Sequence, residues 1–279
     1  MGKLRYIFCD LDGTLLHSDK TMSMKTVTYL RELKKRKDIV VGIASGRAPS
    51  SIQPMLQRYE MEDVIDVIIA NNGVDTIGSQ AKGENQRGMI QKDTIQKIIQ
   101  EFADYPDITV SFHNPGVLYA TNVTRRVHGI LKMNDMHLVL DPRKDLSYLT
   151  APRVMLLFQP VNRSLVEEAV ARHPIDGLKG YFAEEDIYEF TSKEVSKHKA
   201  IEAYVQQFGH ELSDVMVFGD SGNDIGMLQA CGLGIVMKNG EEDIQAYGDL
   251  VSDATNDEDG IYEFLHRHES LLLEKENIL

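Results

Sequence analysis

Two aspartates separated by one residue, Asp10 and Asp12, are the first residues whose types and spacing indicate chemistry. They follow an apolar run at residues 6–9, which is typical of a short buried strand. Because a strand points residues i and i+2 to the same side, both carboxylates would face one point unless the next turn redirects one. Two carboxylates that close repel each other unless a cation or a shared proton lies between them. The pair therefore indicates a metal ion or acid–base chemistry.

Polar groups also follow later apolar runs; they are Ser45, Gly46 and Arg47, then Asn72, then Asp220, Asn223 and Asp224. In an open α/β sheet, ligands bind at the edge formed by the carboxyl ends of the strands. The aspartates would bring three or four carboxylates into one crevice, and hard oxygen ligands of this kind suit Mg²⁺. Each motif alone also fits an ordinary structure, since Asp-Gly is a common turn and acidic residues often begin helices. The convergence of the motifs favours a metal site.

The order of apolar runs and helical patterns predicts the fold class. Strands and amphipathic helices alternate up to about residue 73 and again from about residue 196, as in a doubly wound parallel sheet. Between these stretches the strands are shorter and mixed with helices, which indicates a separate α+β unit. We therefore predict an α/β core of residues 1–79 and 191–279, with an inserted α+β domain of residues 80–190.

Local patterns add further expectations. The apolar run at residues 64–70 predicts a strand, and the tail at residues 258–273 predicts a helix. The stretch at residues 77–91 is polar and marks the change of pattern. In the inserted unit, the apolar residues 138–140 and 154–158 are expected to lie in the core.

The composition excludes several classes of function. The formal net charge of −13 argues against general binding to nucleic acid or anionic membranes, since both require a cationic surface. A small anionic substrate is still compatible, because local lysines and arginines can outweigh the overall field. No run approaches the roughly 20 apolar residues that span a bilayer, and the first residues do not resemble a signal peptide. The cysteines Cys9 and Cys231 lie in apolar surroundings and favour a reduced compartment, so we expect a cytoplasmic protein.

Four motifs, in order, resemble those of the haloacid dehalogenase (HAD) superfamily, and most closely those of its Cof-type phosphatases. They are Asp10-Leu-Asp12-Gly-Thr-Leu, Ser45-Gly-Arg47, Lys197, and Gly-Asp220-Ser-Gly-Asn223-Asp224. Three further segments are similar to the family pattern: Asn72-Gly73, residues 234–239 and residues 257–261. The likeness covers residues 1–75 and about 190–279, whereas the inserted unit matches only as an α+β cap at the expected place.

The resemblance implies a role for each motif. Asp10 is the nucleophile that forms an aspartyl-phosphate, and Asp12 protonates the leaving group and then activates water. Mg²⁺ is bound by Asp10, Asp220, Asp224 and the main-chain carbonyl of Asp12. The groups that hold the phosphoryl group or the substrate are Ser45, Gly46, Arg47, Asn72, Lys197, Asn223 and Asn239.

The chain departs from the family pattern at two positions. The family usually has Ser-Lys-Gly around its lysine, whereas this chain has Ser196-Lys197-His198-Lys199. We choose Lys197 by register and keep Lys199 as the alternative. Ser45 stands where the family more often has threonine, and both residues supply a hydroxyl group.

These observations predict a Mg²⁺-dependent phosphatase acting on small phosphomonoesters, such as sugar phosphates or phosphorylated cofactors. A phosphomutase would use the same residues. A non-catalytic ligand-binding protein on this fold is the alternative of another class, against which the intact Asp10, Asp12, Lys197 and Asp220 argue. We expect the partner to be a small phosphorylated metabolite, and the protein to be a monomer or homodimer. We expect the cap to close over the substrate and select it, through residues such as His113, Asn114 or Tyr119.

Overall fold

The structure is a computed structural model, and it describes residues 3–78, 88–114, 116–134, 136–140 and 150–274. The chain divides into two compact units. The first, which we call the core unit, consists of Met1–Asn85 and Ser196–Leu279, and the second, the inserted unit, is Gln86–Val195. The boundary that we expected at residues 79 and 80 lies outside the described residues.

The first segment of the core unit alternates strands and helices. Its elements are β1 (Tyr6–Cys9), α1 (Met24–Arg36), β2 (Val40–Ala44), α2 (Pro49–Arg58), β3 (Val67–Ala70) and β4 (Asp75–Gly78). Helix α1 begins where the Ser23 hydroxyl accepts a hydrogen bond from the amide of Thr26, which satisfies one of its free donors. Helix α2 begins with Pro49, whose fixed φ angle suits the first turn of a helix.

The inserted unit is an α+β structure. Its elements are α3 (Lys92–Glu101), β5 (Thr109–Asn114), β6 (Val117–Ala120), α4 (Arg125–Asn134), β7 (His137–Leu140), β8 (Val154–Leu157), α5 (Arg163–Arg172), β9 (Leu178–Glu184) and β10 (Ile187–Ser192). The strands form one sheet in the order β7-β6-β5-β8-β10-β9, in which β6 and β7 are parallel and the other pairs are antiparallel. Apolar side chains of α3 and α5 pack on one face of this sheet, and Val127 of α4 belongs to a separate apolar cluster.

The second segment of the core unit resumes the first pattern. Its elements are α6 (Lys197–Gln206), β11 (Val215–Gly219), α7 (Ile225–Ala230), β12 (Leu233–Val236), β13 (Leu250–Val251) and α8 (Gly260–Arg267). The two segments share one sheet in the order β13-β12-β11-β1-β2-β3-β4, in which only the β3–β4 pair is antiparallel. Among the described residues, no helix combines the length and apolarity that crossing a membrane requires.

Strand β1 lies in the middle of this sheet, and its side chains show that both faces are covered. Ile7 and Cys9 pack in the apolar cluster that includes α1, α2 and α8. Tyr6 and Phe8 point to the other face, where they pack with α6 and α7. Because both faces are buried, the strands read as continuous apolar runs rather than as an alternating pattern. The predicted fold class, a doubly wound α/β core with an inserted α+β unit, is confirmed.

Two strands of the core unit differ from the prediction. Strand β3 begins at Val67 rather than at residue 64, because the amides of Val64 and Ile65 both donate to the carbonyl of Met61 in a turn. Strand β4 was missed, since its four residues are half-buried and show no apolar alternation. Its position is set by antiparallel pairing with β3, which a local pattern does not reveal.

The tail of the chain is not one continuous helix, as we had predicted for residues 258–273. Helix α8 ends at Arg267, and a short 3-10 turn follows at Glu269–Leu271. The chain then becomes extended because Leu4 donates to the carbonyl of Leu271 and accepts from the amide of Leu273, at 2.9 Å each. Leu272 is fully buried there, and pairing with the first strand region has replaced the last helical turn.

One predicted core segment of the inserted unit is mostly exposed. Residues 138–140 form part of β7; Leu138 is half-buried against the apolar cluster that includes Val127, whereas Val139 and Leu140 are 40% and 50% exposed. The reason is that, among the described strands, β7 lies at the edge of its sheet and pairs with β6 alone. The other segment, residues 154–158, is buried as predicted and lies in and just after the central strand β8.

A polar cluster in the inserted unit contains two buried side chains, Glu189 and His113, and two half-buried ones, Arg153 and Tyr181. Arg153 donates to Glu189 at 2.6 Å and to His113 at 3.4 Å, and the hydroxyl of Tyr181 also donates to Glu189 at 3.0 Å. Burial and the charge of Arg153 lower the pKa of His113 to about 3, so this imidazole is neutral near pH 7. Of our other cap candidates, Tyr119 stacks on Phe112, and Asn114 ends β5.

We predict that Arg153→Met lowers the free energy of unfolding by about 3 kcal/mol, because it leaves the buried Glu189 carboxylate without its cation. Urea denaturation would measure this. Arg172→Met, which breaks an exposed pair with Glu168 on α5, is the matched control and should have no measurable effect. The double variant Arg153→Met/Glu189→Met should recover most of the loss; an equal loss in the double variant would contradict the electrostatic explanation.

Candidate active site

The carboxyl ends of four strands bring the predicted site residues to one edge of the core sheet. Strand β1 is followed by Asp10, β2 by Ser45, β3 by Asn71–Gly73, and β11 by Asp220. All four strands run parallel, so their carboxyl ends lie on the same side. The edge therefore collects side chains that are far apart in the sequence.

Lys197 is the cation at the centre of this edge. Its ammonium donates to Asp10 Oδ1 and to Asp224 Oδ1, both at 2.6 Å, and its side chain has no exposed surface. It is the first residue of α6, and the Ser196 hydroxyl caps that helix by accepting from the amide of Lys199. The side chain of Lys199 is exposed. The structure thus places Lys197, and not the alternative Lys199, on the carboxylates.

Three carboxylates, from Asp10, Asp220 and Asp224, form a compact acidic cluster, in which one oxygen atom from each residue lies within 4.8 Å of the other two. Asp224 is fully buried, and its second oxygen accepts the amides of Asp220 and Ser221 at 3.0 and 3.1 Å. Asp220 Oδ1 accepts the hydroxyl of Thr14 at 2.6 Å. This set of hard oxygen donors fits a divalent cation such as Mg²⁺.

The pKa values of the aspartates in the cluster show that its negative charge is only partly compensated. Burial raises the pKa of Asp10, and the charges of Asp224 and Asp220 raise it further, against the lowering effect of Lys197. Burial, together with the charge of Asp224, raises the pKa of Asp220 to about 6. Lys197 alone therefore does not compensate the cluster, and a bound divalent cation would favour the ionised carboxylates.

Asp12 is held apart from this cluster. Arg47 binds its carboxylate with two hydrogen bonds, from Nε to Oδ2 and from Nη2 to Oδ1, both at 2.7 Å. Lys20 Nζ donates to the same Oδ1 at 2.8 Å. Burial alone would raise the pKa of Asp12, but the hydrogen bonds and charges of Arg47 and Lys20 lower it. Because β1 ends at Cys9, the turn redirects Asp12, and the two aspartates do not face one point as a continued strand would require.

Amide and hydroxyl groups connect the ends of β2, β3 and β11. Ser45 is buried, and its hydroxyl accepts the amide of Arg47 at 3.1 Å. The main-chain amide of Asn72 donates to the carbonyl of Ser45, and the side-chain oxygen of Asn72 accepts from Asn223 at 3.2 Å. A Cβ atom at Gly46 would lie 3.3 Å from Nδ2 of Asn72, so Gly46 is close to the Asn72 side chain. The structure thus brings Ser45, Gly46, Asn72 and Asn223 together.

Asn239 has main-chain partners at both ends of its side chain. Its Nδ2 donates to the carbonyl of Gly13 at 2.7 Å, and its Oδ1 accepts the amide of Asn256 at 2.8 Å. Asn256 in turn donates to the carbonyl of Leu16 at 2.9 Å. Asn239 and Asn256 therefore brace the loop that carries Asp12, and the substrate contact of Asn239 stays a prediction.

Sequence reasoning missed four residues of the site. Thr14 belongs to the first motif, so its position directly after Gly13 was a usable signal. Lys20 lies in a short polar stretch between β1 and α1, Ser221 was read only as part of the last motif, and Asn256 lies 240 residues from its partner Leu16. For Lys20 and Asn256 the sequence carries no local pattern that indicates these contacts.

A family model described as haloacid dehalogenase-like hydrolase matches residues 7–265. The chain belongs to this family. The resemblance that the motifs indicated is therefore confirmed, and so is the prediction that the protein is an enzyme.

This HAD chain also has relatives of similar length. A putative phosphatase of Haemophilus influenzae is 25% identical over 260 residues, which cover 91% of this chain and 94% of that protein. A phosphoglycolate phosphatase of Methanopyrus kandleri is 27% identical over 267 residues, covering 94% and 95%.

Solved structures of the same superfamily share the fold. A haloacid dehalogenase-like hydrolase from Bacteroides thetaiotaomicron superposes with a TM-score of 0.79 at 22% identity, covering 95% of this chain and 99% of that chain. A sugar phosphatase of HAD subclass IIB gives a TM-score of 0.80 at 22% identity, covering 96% and 100%. At this level of identity the likeness establishes the fold of the HAD chain.

We predict that Lys197→Met lowers the free energy of unfolding of the metal-free protein by about 3 kcal/mol, because Asp10 and Asp224 lose their buried cation. The measurement is denaturation at neutral pH in the presence of a chelator. Lys199→Met, two residues further along α6, is the control and should have a much smaller effect because that side chain is exposed. Equal losses in the two variants would contradict the placement of Lys197.

Proposed function

We propose that this HAD-family chain is a Mg²⁺-dependent phosphatase that hydrolyses small phosphomonoesters through an aspartyl-phosphate intermediate. The observation that carries the proposal is the buried Asp10 carboxylate, held by Lys197 within a cluster of further carboxylates. A nucleophile beside both a fixed cation and a set of hard oxygen donors is what phosphoryl transfer requires. The names of the relatives, which include a putative phosphatase and a phosphoglycolate phosphatase, support the same reaction class.

In the first step that we propose, Asp10 attacks the phosphorus atom and the bond to the leaving oxygen breaks. Lys197 already binds Oδ1, so we assign the attack to Oδ2. Asp12 reacts here in its protonated form, with the proton that it took from water in the previous turnover, and gives that proton to the leaving oxygen, which departs as an alcohol. In the second step the Asp12 carboxylate takes a proton from water, the water oxygen attacks the phosphorus, and inorganic phosphate leaves with Asp10 restored.

The carboxylates of Asp10, Asp220 and Asp224 would hold Mg²⁺ together with the main-chain carbonyl of Asp12. When bound, the ion offsets the repulsion between the nucleophile and the phosphoryl oxygens. Thr14 holds one oxygen of Asp220, and the amides of Asp220 and Ser221 hold one oxygen of Asp224, so both carboxylates are oriented before an ion arrives.

Donors beside the acidic cluster would bind the phosphoryl oxygens. We assign this role to the hydroxyl of Ser45, the amide of Gly46 and the ammonium of Lys197. The side chains of Asn72 and Asn223 are joined by a hydrogen bond of 3.2 Å and lie next to these donors. We assign Arg47 to the leaving side of the substrate, because it already lies on the proposed proton donor Asp12.

For the substrate we propose a small phosphorylated metabolite, such as a sugar phosphate or a phosphorylated cofactor, selected by the inserted unit. A sugar phosphatase is among the proteins of similar fold, which supports this class. We also propose a cytoplasmic location, since Cys9 and Cys231 are buried free thiols.

We predict that the protein releases inorganic phosphate from p-nitrophenyl phosphate only with Mg²⁺, and that Asp10→Asn lowers kcat by about 10³-fold or more because it removes the nucleophile. Asp63→Asn, which alters an exposed ion pair with Arg31, is the control and should keep full activity. Turnover of a sugar phosphate that depends on a bisphosphate activator and releases no phosphate would instead indicate a phosphomutase. Ligand binding without turnover of any phosphoester would indicate a binding protein.

Metal binding can be tested without activity. We predict that Mg²⁺ at about 100 times its dissociation constant stabilises the protein by about 2.7 kcal/mol, seen as a rise in Tm over the chelated sample. Asp220→Asn should remove most of this rise because the cluster loses a ligand, whereas Asp63→Asn should retain it. A full Mg²⁺ effect in Asp220→Asn would rule out the proposed ligand set.

A further inference from the structure

The loop between β1 and α1 carries a small hairpin whose tip returns to the site. Leu16 and Met22 pair across its base, the amide of His17 donates to the carbonyl of Thr21, and the amide of Lys20 donates to the carbonyl of His17, at 2.9 Å each. We call residues 16–22 the Lys20 hairpin. Lys20 has a φ of +66°, a left-handed conformation that disfavours a residue with a side chain. Local strain of this kind persists where the surroundings hold it.

The Lys20 hairpin is fastened to a distant part of the core unit. The amide and the hydroxyl of Ser18 donate to the two oxygens of Asp257 at 2.7 and 2.6 Å. Asn256 donates to the carbonyl of Leu16 at 2.9 Å. Asp257 and Asn256 belong to a 3-10 turn at Asn256–Glu258, which overlaps residues 257–261, one of the segments similar to the family pattern. These bonds explain that segment as an anchor for the hairpin.

The anchored hairpin delivers one charged group, Lys20 Nζ, to the carboxylate of Asp12. Oδ1 of Asp12 accepts Lys20 at 2.8 Å and Arg47 at 2.7 Å, while Oδ2 accepts Arg47 at 2.7 Å. Both oxygens and the plane of the carboxylate are therefore fixed. The side chain of Lys20 is 59% exposed, and an exposed lysine pair contributes little to folding stability. Its contact is better explained by what it does to Asp12.

We propose that Lys20 is a positioning residue for Asp12, which together with Arg47 holds the carboxylate where it exchanges a proton with the reacting oxygen. This inference rests on the proposed phosphatase function. When the leaving oxygen takes the proton from Asp12, the hydrogen bond from Lys20 Nζ keeps the Asp12 carboxyl group in its orientation, and Lys20 keeps its own protons. When water attacks, the same contact keeps the carboxylate oriented to accept the proton. The Asp257 anchor acts one step further away, by keeping the Lys20 hairpin in place.

The test separates this role from a general effect on folding or binding. Phenolate is a poorer leaving group than p-nitrophenolate, so phenyl phosphate depends more on a well-placed proton donor. With Mg²⁺ present, Lys20→Met should lower kcat/KM for phenyl phosphate by about 10-fold, out of the 10²–10⁴-fold that general acid catalysis supplies, and for p-nitrophenyl phosphate by less than about 3-fold. The KM for each ester should change little, and Lys20→Arg should restore most of the loss.

Two further variants make the result interpretable. Lys35→Met removes an exposed lysine from the last turn of α1 and should leave kcat/KM for both esters unchanged. Asp257→Asn should show the same selective loss as Lys20→Met, but smaller, because it weakens the anchor and leaves the lysine in place. Thermal denaturation confirms that each variant is folded.

The inference fails if Lys20→Met lowers kcat/KM equally for both esters, raises KM alone or has no effect. If the unaltered protein releases no phosphate from either ester with Mg²⁺, the proposed function itself fails, so the two failures are distinguishable.

Discussion

The burial of several carboxylates around one lysine is the constraint on which the site depends. Asp10 and Asp224 exchange water for ion pairs of 2.6 Å with Lys197, and buried pairs of this kind are tolerated only when their geometry is firmly held. The end of β1, the first residue of α6 and the loop before α7 provide that support. One ammonium does not balance the acidic cluster. The remaining negative charge would favour a divalent cation at this edge of the sheet, while Asp12, redirected by the turn after β1, is paired with Arg47 and Lys20.

The sequence predicted those parts of the site that follow directly from a strand end. Asp10, Ser45, Asn72 and Asp220 could be found because parallel strands bring their carboxyl ends together whatever lies between them. Contacts made through loops could not be predicted. The pairing of Arg47 with Asp12 depends on how the turn after β1 bends, and the brace at Asn239 joins segments 226 residues apart. The choice between Lys197 and Lys199 required the helix start, since residues two apart on a helix point in different directions.

The fold was predictable to the same extent and for the same reason. Strands buried on both faces and amphipathic helices carry their pattern in their own residues, so the doubly wound core was evident. Elements whose position depends on strand pairing rather than on burial could not be predicted. Strand β4 is defined by its bonds to β3, β7 is exposed because it has one neighbour, and the tail leaves its helix to join Leu4. In each case a partner distant in sequence overrides the local preference.

The insertion also sets an order of events during synthesis. Strand β1 pairs with β2 and with β11, and β11 begins only at Val215, after the whole inserted unit. Until that residue has been translated, β1 has one open edge, which is the arrangement that invites strand addition by another chain. The described strands of the inserted unit, β5–β10, follow one another in the sequence before Val215, so their sheet can form before the core sheet is complete. A nascent chain stalled before Val215 would thus carry a folded inserted unit and an incomplete core that is prone to association. We expect the pairing of β1 with β11 to be the slowest step in folding of the core, because it joins residues far apart in the sequence.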